Sequence, residues 1–86
     1  MKIITIDCSQ IFDKEGFHTT MEEKLEFPSW YGKNLDALHD CLTEISGKVR
    51  LLNWESAEIR LGSYGAKAKK VIAAAALHNT DLDLYF

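Results

Sequence analysis

Leu35, Leu38, Leu42 and Ile45 recur at three- and four-residue spacing with Cys41 beside them, so Asn34–Ile45 reads as a helix with one apolar stripe. Asn34 is placed as its N-cap, Asp36 suits the positive end of the helix dipole, and Gly47 is placed to end it. The same periodicity in Phe17, Met21 and Leu25 predicts an amphipathic helix over Asp13–Leu25, with Glu22, Glu23 and Lys24 solvated. Phe27-Pro28 interrupts it, because the residue before a proline avoids the helical region. Trp54–Leu61 reads as a short helix stopped at Gly62. Ala66–His78 is an alanine-rich helix with its lysines early and Val71, Ile72 and Ala75 facing inward. Three other runs have strand character. Ile3-Ile4-Thr5-Ile6 is β-branched throughout, which suits a strand buried on both faces. Val49–Asn53 is a second short strand, and Leu82, Leu84 and Phe86 alternate with Asp81, Asp83 and Tyr85 in a third. Strands separated by helices imply a parallel sheet. The expected fold is α/β: a small three-stranded parallel sheet with about four helices packed around it.

The chain has 86 residues, enough for a single domain spanning 1–86. With 47% hydrophobic residues it can offset the ordering entropy of one modest core, so disorder is not expected. The longest apolar run, Val71–Leu77, is far short of a membrane span. Between Lys2 and Asp7 there is too little apolar sequence for a secretory signal, and a cytoplasmic location is expected. A net charge of −3 argues against direct nucleic-acid binding, which draws on phosphate neutralisation by Lys and Arg. Cys8 and Cys41 make no CxxC or zinc spacing. One disulfide is possible by count, but free buried thiols fit a reducing compartment better. His18, His39 and His78 form no metal-binding pattern, and no cofactor is expected.

The acidic residues are partly gathered. Asp36, Asp40 and Glu44 stand at i, i+4 and i+8 of the predicted helix, opposite its leucine stripe, with no Lys or Arg of that helix placed to neutralise Asp40 and Glu44. Each like-charge pair costs roughly 0.2–0.5 kcal/mol in an isolated helix. Such a face is either a solvated surface or a binding surface, and chelation of Mg²⁺ by its carboxylates is a further candidate. Trp30-Tyr31-Gly32 precedes the helix. Its two aromatics are lids over the core or anchors for a partner, and Gly32 is expected to take a positive φ at the turn into Asn34. Gly62 and Gly65 make no nucleotide-binding loop, Ser29 and Ser63 have no nucleophile-elbow context, and His39 lies about 100° around the helix from Asp40. These residues give little support to catalysis.

The thirteen residues Trp30-Tyr31-Gly32-Lys33-Asn34-Leu35-Asp36-Ala37-Leu38-His39-Asp40-Cys41-Leu42 closely resemble the signature segment of the barstar family, intracellular inhibitors of the ribonuclease barnase. Pro28, Trp54, Gly65-Ala66 and the terminal strand fall in corresponding order, so the resemblance covers essentially the whole chain. It implies three parallel strands with helices around them and a non-enzymatic protein that blocks a ribonuclease one-to-one. The implied partner face comprises Trp30, Tyr31, Gly32, Asn34, Asp36, His39, Asp40, Thr43 and Glu44. Trp30 matches an interface tyrosine, and Asp40 matches the central aspartate that takes the place of a substrate phosphate. Thr43 matches a contact at the edge.

Several positions depart from the family pattern. His39 stands where the family has tryptophan, Glu44 where it has glycine, and Ala75 where its fourth helix contributes an interface glutamate. Cys41 matches a family cysteine, whereas Cys8 has no counterpart. A ribonuclease active site aims cations at a phosphate, so carboxylates at one-turn spacing complement it and speed encounter. The leading expectation is a ribonuclease inhibitor, monomeric when free, whose partner is a cognate ribonuclease with a basic cleft. The alternative is an interaction module or immunity protein of the same fold that binds a different basic partner.

Overall fold

In the computed structural model, which describes residues 2–86, three strands lie in the spatial order β1 (Ile3–Asp7), β2 (Gly47–Leu52), β3 (Leu82–Tyr85), and both pairings are parallel. Four helices connect them: α1 (Lys14–Lys24), α2 (Leu35–Leu42), α3 (Trp54–Leu61) and α4 (Ser63–His78), with a single 3-10 turn at Cys8–Gln10. The α/β architecture read from the sequence is the one observed. Helix ends follow local chemistry: the Asp13 carboxylate accepts from the Gly16 amide at 2.7 Å and opens α1, and Gly62 ends α3 at φ 62°.

The register places Ile4, Val49 and Leu84 side by side, with Ile6 beside Leu51 and Gly47 beside Leu82. These residues face the core, where Phe17, Met21, Leu38, Leu42, Trp54 and Ile72 cover them. The opposite set, Ile3, Thr5, Arg50, Asp83 and Tyr85, is exposed. The helices therefore cover one face of the sheet and leave the other to solvent, an uncommon arrangement for parallel strands. This corrects the expectation for the first strand. Ile3 is 65% exposed, because no helix covers the second face of the sheet and the side chains of β1 alternate between the core and that open face.

Helix boundaries shift as well. α4 begins three residues earlier than expected, at Ser63, and α2 stops at Leu42 rather than Ile45. Gly47 does not cap a helix; it is the first residue of β2. Its φ is +117°, and a Cβ there would lie 2.5 Å from the Lys2 carbonyl oxygen. The glycine is needed because the chain passes against β1 in a backbone region that L side chains rarely adopt. Gly65 serves α4 in a different way: a Cβ there would meet the Glu58 carbonyl oxygen at 2.6 Å, so only glycine lets α4 cross α3 this closely. Gly47→Ala is expected to destabilise the fold by about 2 kcal/mol, seen as a melting temperature lower by roughly 8–16 °C. Gly32→Ala, whose Cβ would meet the Asn34 side-chain nitrogen at 3.2 Å without left-handed backbone strain, should cost clearly less than Gly47→Ala.

Candidate functional site

Helix α2 carries the acidic residues and is held at both ends by asparagines. At its start the Asn34 side chain accepts from the Ala37 amide at 2.8 Å, the capping role expected for it. At its finish the buried Asn79 side chain, beyond the end of α4, donates to the carbonyls of Leu42 and Ile45 at 2.9 and 2.7 Å. Asn79 also accepts from the Asp81 amide at 3.1 Å. One side chain thus satisfies carbonyls that a helix end leaves orphaned and ties α2 to α4. No sequence periodicity pointed to Asn79.

The early end of α2 changes the acidic face. Asp36 and Asp40 stand one turn apart on the helix and both are exposed. Glu44 is also exposed but lies past the helix end, where its amide donates to the Cys41 carbonyl at 3.2 Å, so it is not the third member of a helical row. Its carboxylate and that of Asp40 both still bear on the Cys41 thiol: burial first, then these two charges, holds Cys41 above the usual thiol range. No Lys or Arg among the described residues forms an ion pair with Asp36, Asp40 or Glu44. His39 lies beside Asp40, Nδ1 to Oδ1 at 3.9 Å, and Thr43 donates from its hydroxyl to the Asp40 carbonyl at 2.7 Å. No group of three or more His, Cys, Asp or Glu residues among those described is arranged to hold a metal ion. Cys8 and Cys41 are both free and buried, and burial pushes the Cys8 thiol up to about 11.

The two loop aromatics part company. Trp30 is 65% exposed, whereas Tyr31 is 5% exposed and packs on Phe27 with ring centroids 4.9 Å apart. Tyr31 is therefore a core residue in the free protein, the lid of the two roles open to it, and Trp30 is the aromatic left exposed. Gly32 is exposed without a positive φ; the left-handed residue of this turn is Lys33, at φ 52°. The Tyr31 hydroxyl reaches 2.6 Å from Nδ1 of the buried His18, and the Tyr64 hydroxyl lies 2.5 Å from its Nε2. In a neutral imidazole one nitrogen donates and the other accepts, so both tyrosines are satisfied without a buried charge. This Tyr–His–Tyr chain joins α1, the Trp30 loop and α4. Because Tyr31 is anchored inside, its neighbour Trp30 is presented outside. Burial, helped by the charge of Lys33, holds His18 below the ordinary imidazole value, and burial raises both tyrosine hydroxyls. The sequence offered no pattern that would single out His18.

The family described as "Barstar (barnase inhibitor)" matches residues 1–84. The chain belongs to the barstar family. It is also 40% identical over 78 residues to "Putative ribonuclease inhibitor YrdF" of Bacillus subtilis (strain 168), covering 87% of this chain and 86% of that protein. Ala75, which the resemblance sets at the place of an interface glutamate, is 0% exposed and faces the core. The α4 residue that meets α2 at the surface is His78, whose ring lies 5.8 Å from that of His39.

His18 gives a pH dependence that needs no partner to observe. Its folded-state proton affinity is depressed, so below about pH 6.5 the unfolded chain takes up a proton that the folded chain refuses. The stability linked to this group is fully present above that pH and is lost as pH falls toward the folded-state value. Urea unfolding between about pH 8 and pH 5 should show stability falling with acid, by no more than roughly 1.4 kcal/mol per pH unit for one proton. His18→Gln should flatten that slope. An equal slope in both proteins would show that another group is responsible.

Proposed function

We propose that this barstar-family protein is a non-enzymatic inhibitor of a barnase-type ribonuclease, binding one-to-one with the acidic surface of α2 seated in the enzyme's cationic active site. The observation that carries the reading is the pair Asp36 and Asp40, exposed and without a Lys or Arg partner, on a helix fastened at both ends. A helix shaped only by stability would neutralise one of them. Asp40 also lies in the last turn of α2, at the negative end of the dipole, where an acid is unfavourable. Cations around a scissile phosphate supply the missing compensation, and fixed geometry means little ordering is lost on binding. The descriptions of the family and of the relative as ribonuclease inhibitors support the same partner class. Trp30 extends this surface as an exposed aromatic anchor, with Gly32, Asn34, His39, Thr43 and Glu44 around it.

The test is titration of barnase-catalysed RNA hydrolysis with the protein. Activity is expected to fall linearly to its floor at one equivalent; hydrolysis unchanged at a large excess would refute the reading. Asp40→Ala should act with opposite signs on folding and binding. The free variant is expected to be as stable as the parent or up to about 1 kcal/mol more stable, since a like-charge neighbour and a dipole conflict are removed. Its complex should weaken by about 2–5 kcal/mol or more, the usual cost of removing one partner of a buried, hydrogen-bonded charge pair; close charge pairs in the barnase–barstar complex itself couple by about 1.5–7 kcal/mol. A variant inhibiting at parental potency would sink the phosphate-mimic role.

Trp30→Ala is expected to weaken binding by roughly 1–3 kcal/mol while leaving the melting temperature within about 2 °C, because the ring packs little in the free protein. Loss of stability with affinity intact would make Trp30 a lid over the core.

A further inference from the structure

His39 on α2 and His78 on α4 meet edge to face where the two helices join, with ring centroids 5.8 Å apart and planes at 73°. His39 Nδ1 lies 3.9 Å from Asp40 Oδ1, and its side chain is 35% exposed against 79% for Asp40. The couple therefore borders the carboxylate that the inhibitor reading makes central. Asp36 stands three residues before His39 on the same helix, and Glu44 follows beyond its end. His78 is the last residue of α4, where the dipole favours a cation. No Lys or Arg among the described residues is ion-paired with any of these groups.

Histidine is the side chain whose charge changes between about pH 5 and pH 8. With both rings neutral, they pack against each other and the surface presents its carboxylates uncompensated. With both charged, two imidazolium groups stand at the same join. The His39 imidazolium also sets positive charge beside Asp40, which a cationic cleft would then have to displace or repel.

We propose that the His39–His78 couple makes the docking surface proton-sensitive, so that this protein holds its ribonuclease more tightly at mildly alkaline than at mildly acidic pH. The proposal rests on the inhibitor reading, because it requires that the Asp40 surface face cations in the complex. Complex formation should release protons from the couple, and affinity should fall as they bind.

Two measurements test it. In the free protein, the imidazole resonances of His39 and His78 are followed by NMR between about pH 5 and pH 8.5 in the parent, His39→Gln and His78→Gln. The single variants assign each resonance, and both rings are expected to change charge within this interval; a ring that does not do so overturns the proposal. Affinity for barnase is then measured near pH 8 and near pH 5.5 for the parent and for the double variant His39→Gln/His78→Gln, after thermal unfolding shows that both are folded at each pH. Titrating groups of barnase, and His18 here, are common to both measurements, so the ratio between proteins isolates the couple. The parent is expected to lose affinity across this interval by a factor on the order of tenfold larger than the double variant. Equal pH dependence in the two proteins overturns this proposal and leaves the inhibitor reading standing. Absence of binding by the parent at both pH values overturns the inhibitor reading, and this proposal falls with it.

Discussion

A two-turn helix cannot hold itself together in water, and the surface of this protein depends on one. α2 is eight residues long, below the length at which an isolated helix persists, and it carries two like charges on adjacent turns. Its conformation is imposed from outside. Leu38, Cys41 and Leu42 are buried in the core, Asn34 caps one end, and Asn79 satisfies the carbonyls at the other. Packing and two amide side chains thus fix Asp36 and Asp40 in place against their mutual repulsion.

The loop before α2 is held by a second device of the same kind. Residues 26–34 include two left-handed residues, Glu26 and Lys33, and have no regular secondary structure to order them. Order comes from Tyr31, which turns inward to His18, while Tyr64 reaches the other side of the ring. The chain makes a polar anchor inside an aromatic cluster of Phe17, Phe27 and Trp54, and the neutral imidazole leaves no charge to desolvate. The exposed Trp30 is the outward counterpart of that inward residue. Both devices place buried polar groups where they support residues at the surface, in a chain too short to have a second core for the purpose.

The departures from the family pattern are connected through one place in the fold. Ala75 faces the core, so α4 offers no acid there. The helix instead meets α2 at the surface through His78. His39 is the residue it meets there.

Periodicity and local chemistry in the sequence determined the three strands, the four helices, the Asn34 cap, the stop at Gly62, and the adjacency of Asp36 and Asp40. Each depends on residues within a few positions of one another, so a linear pattern carries the information. The signature segment from Trp30 to Leu42 likewise pointed to the family. Tertiary structure alone decided that β1 is an edge strand, that Gly47 opens β2 against the Lys2 carbonyl, and that α2 stops short of Glu44. It alone parted Tyr31 from Trp30 and brought His18 to Tyr64 and His39 to His78. Those outcomes depend on partners dozens of residues away. A buried imidazole or a carbonyl-capping asparagine has no spacing of its own, because its role is set by whichever distant group the packing brings within hydrogen-bond reach.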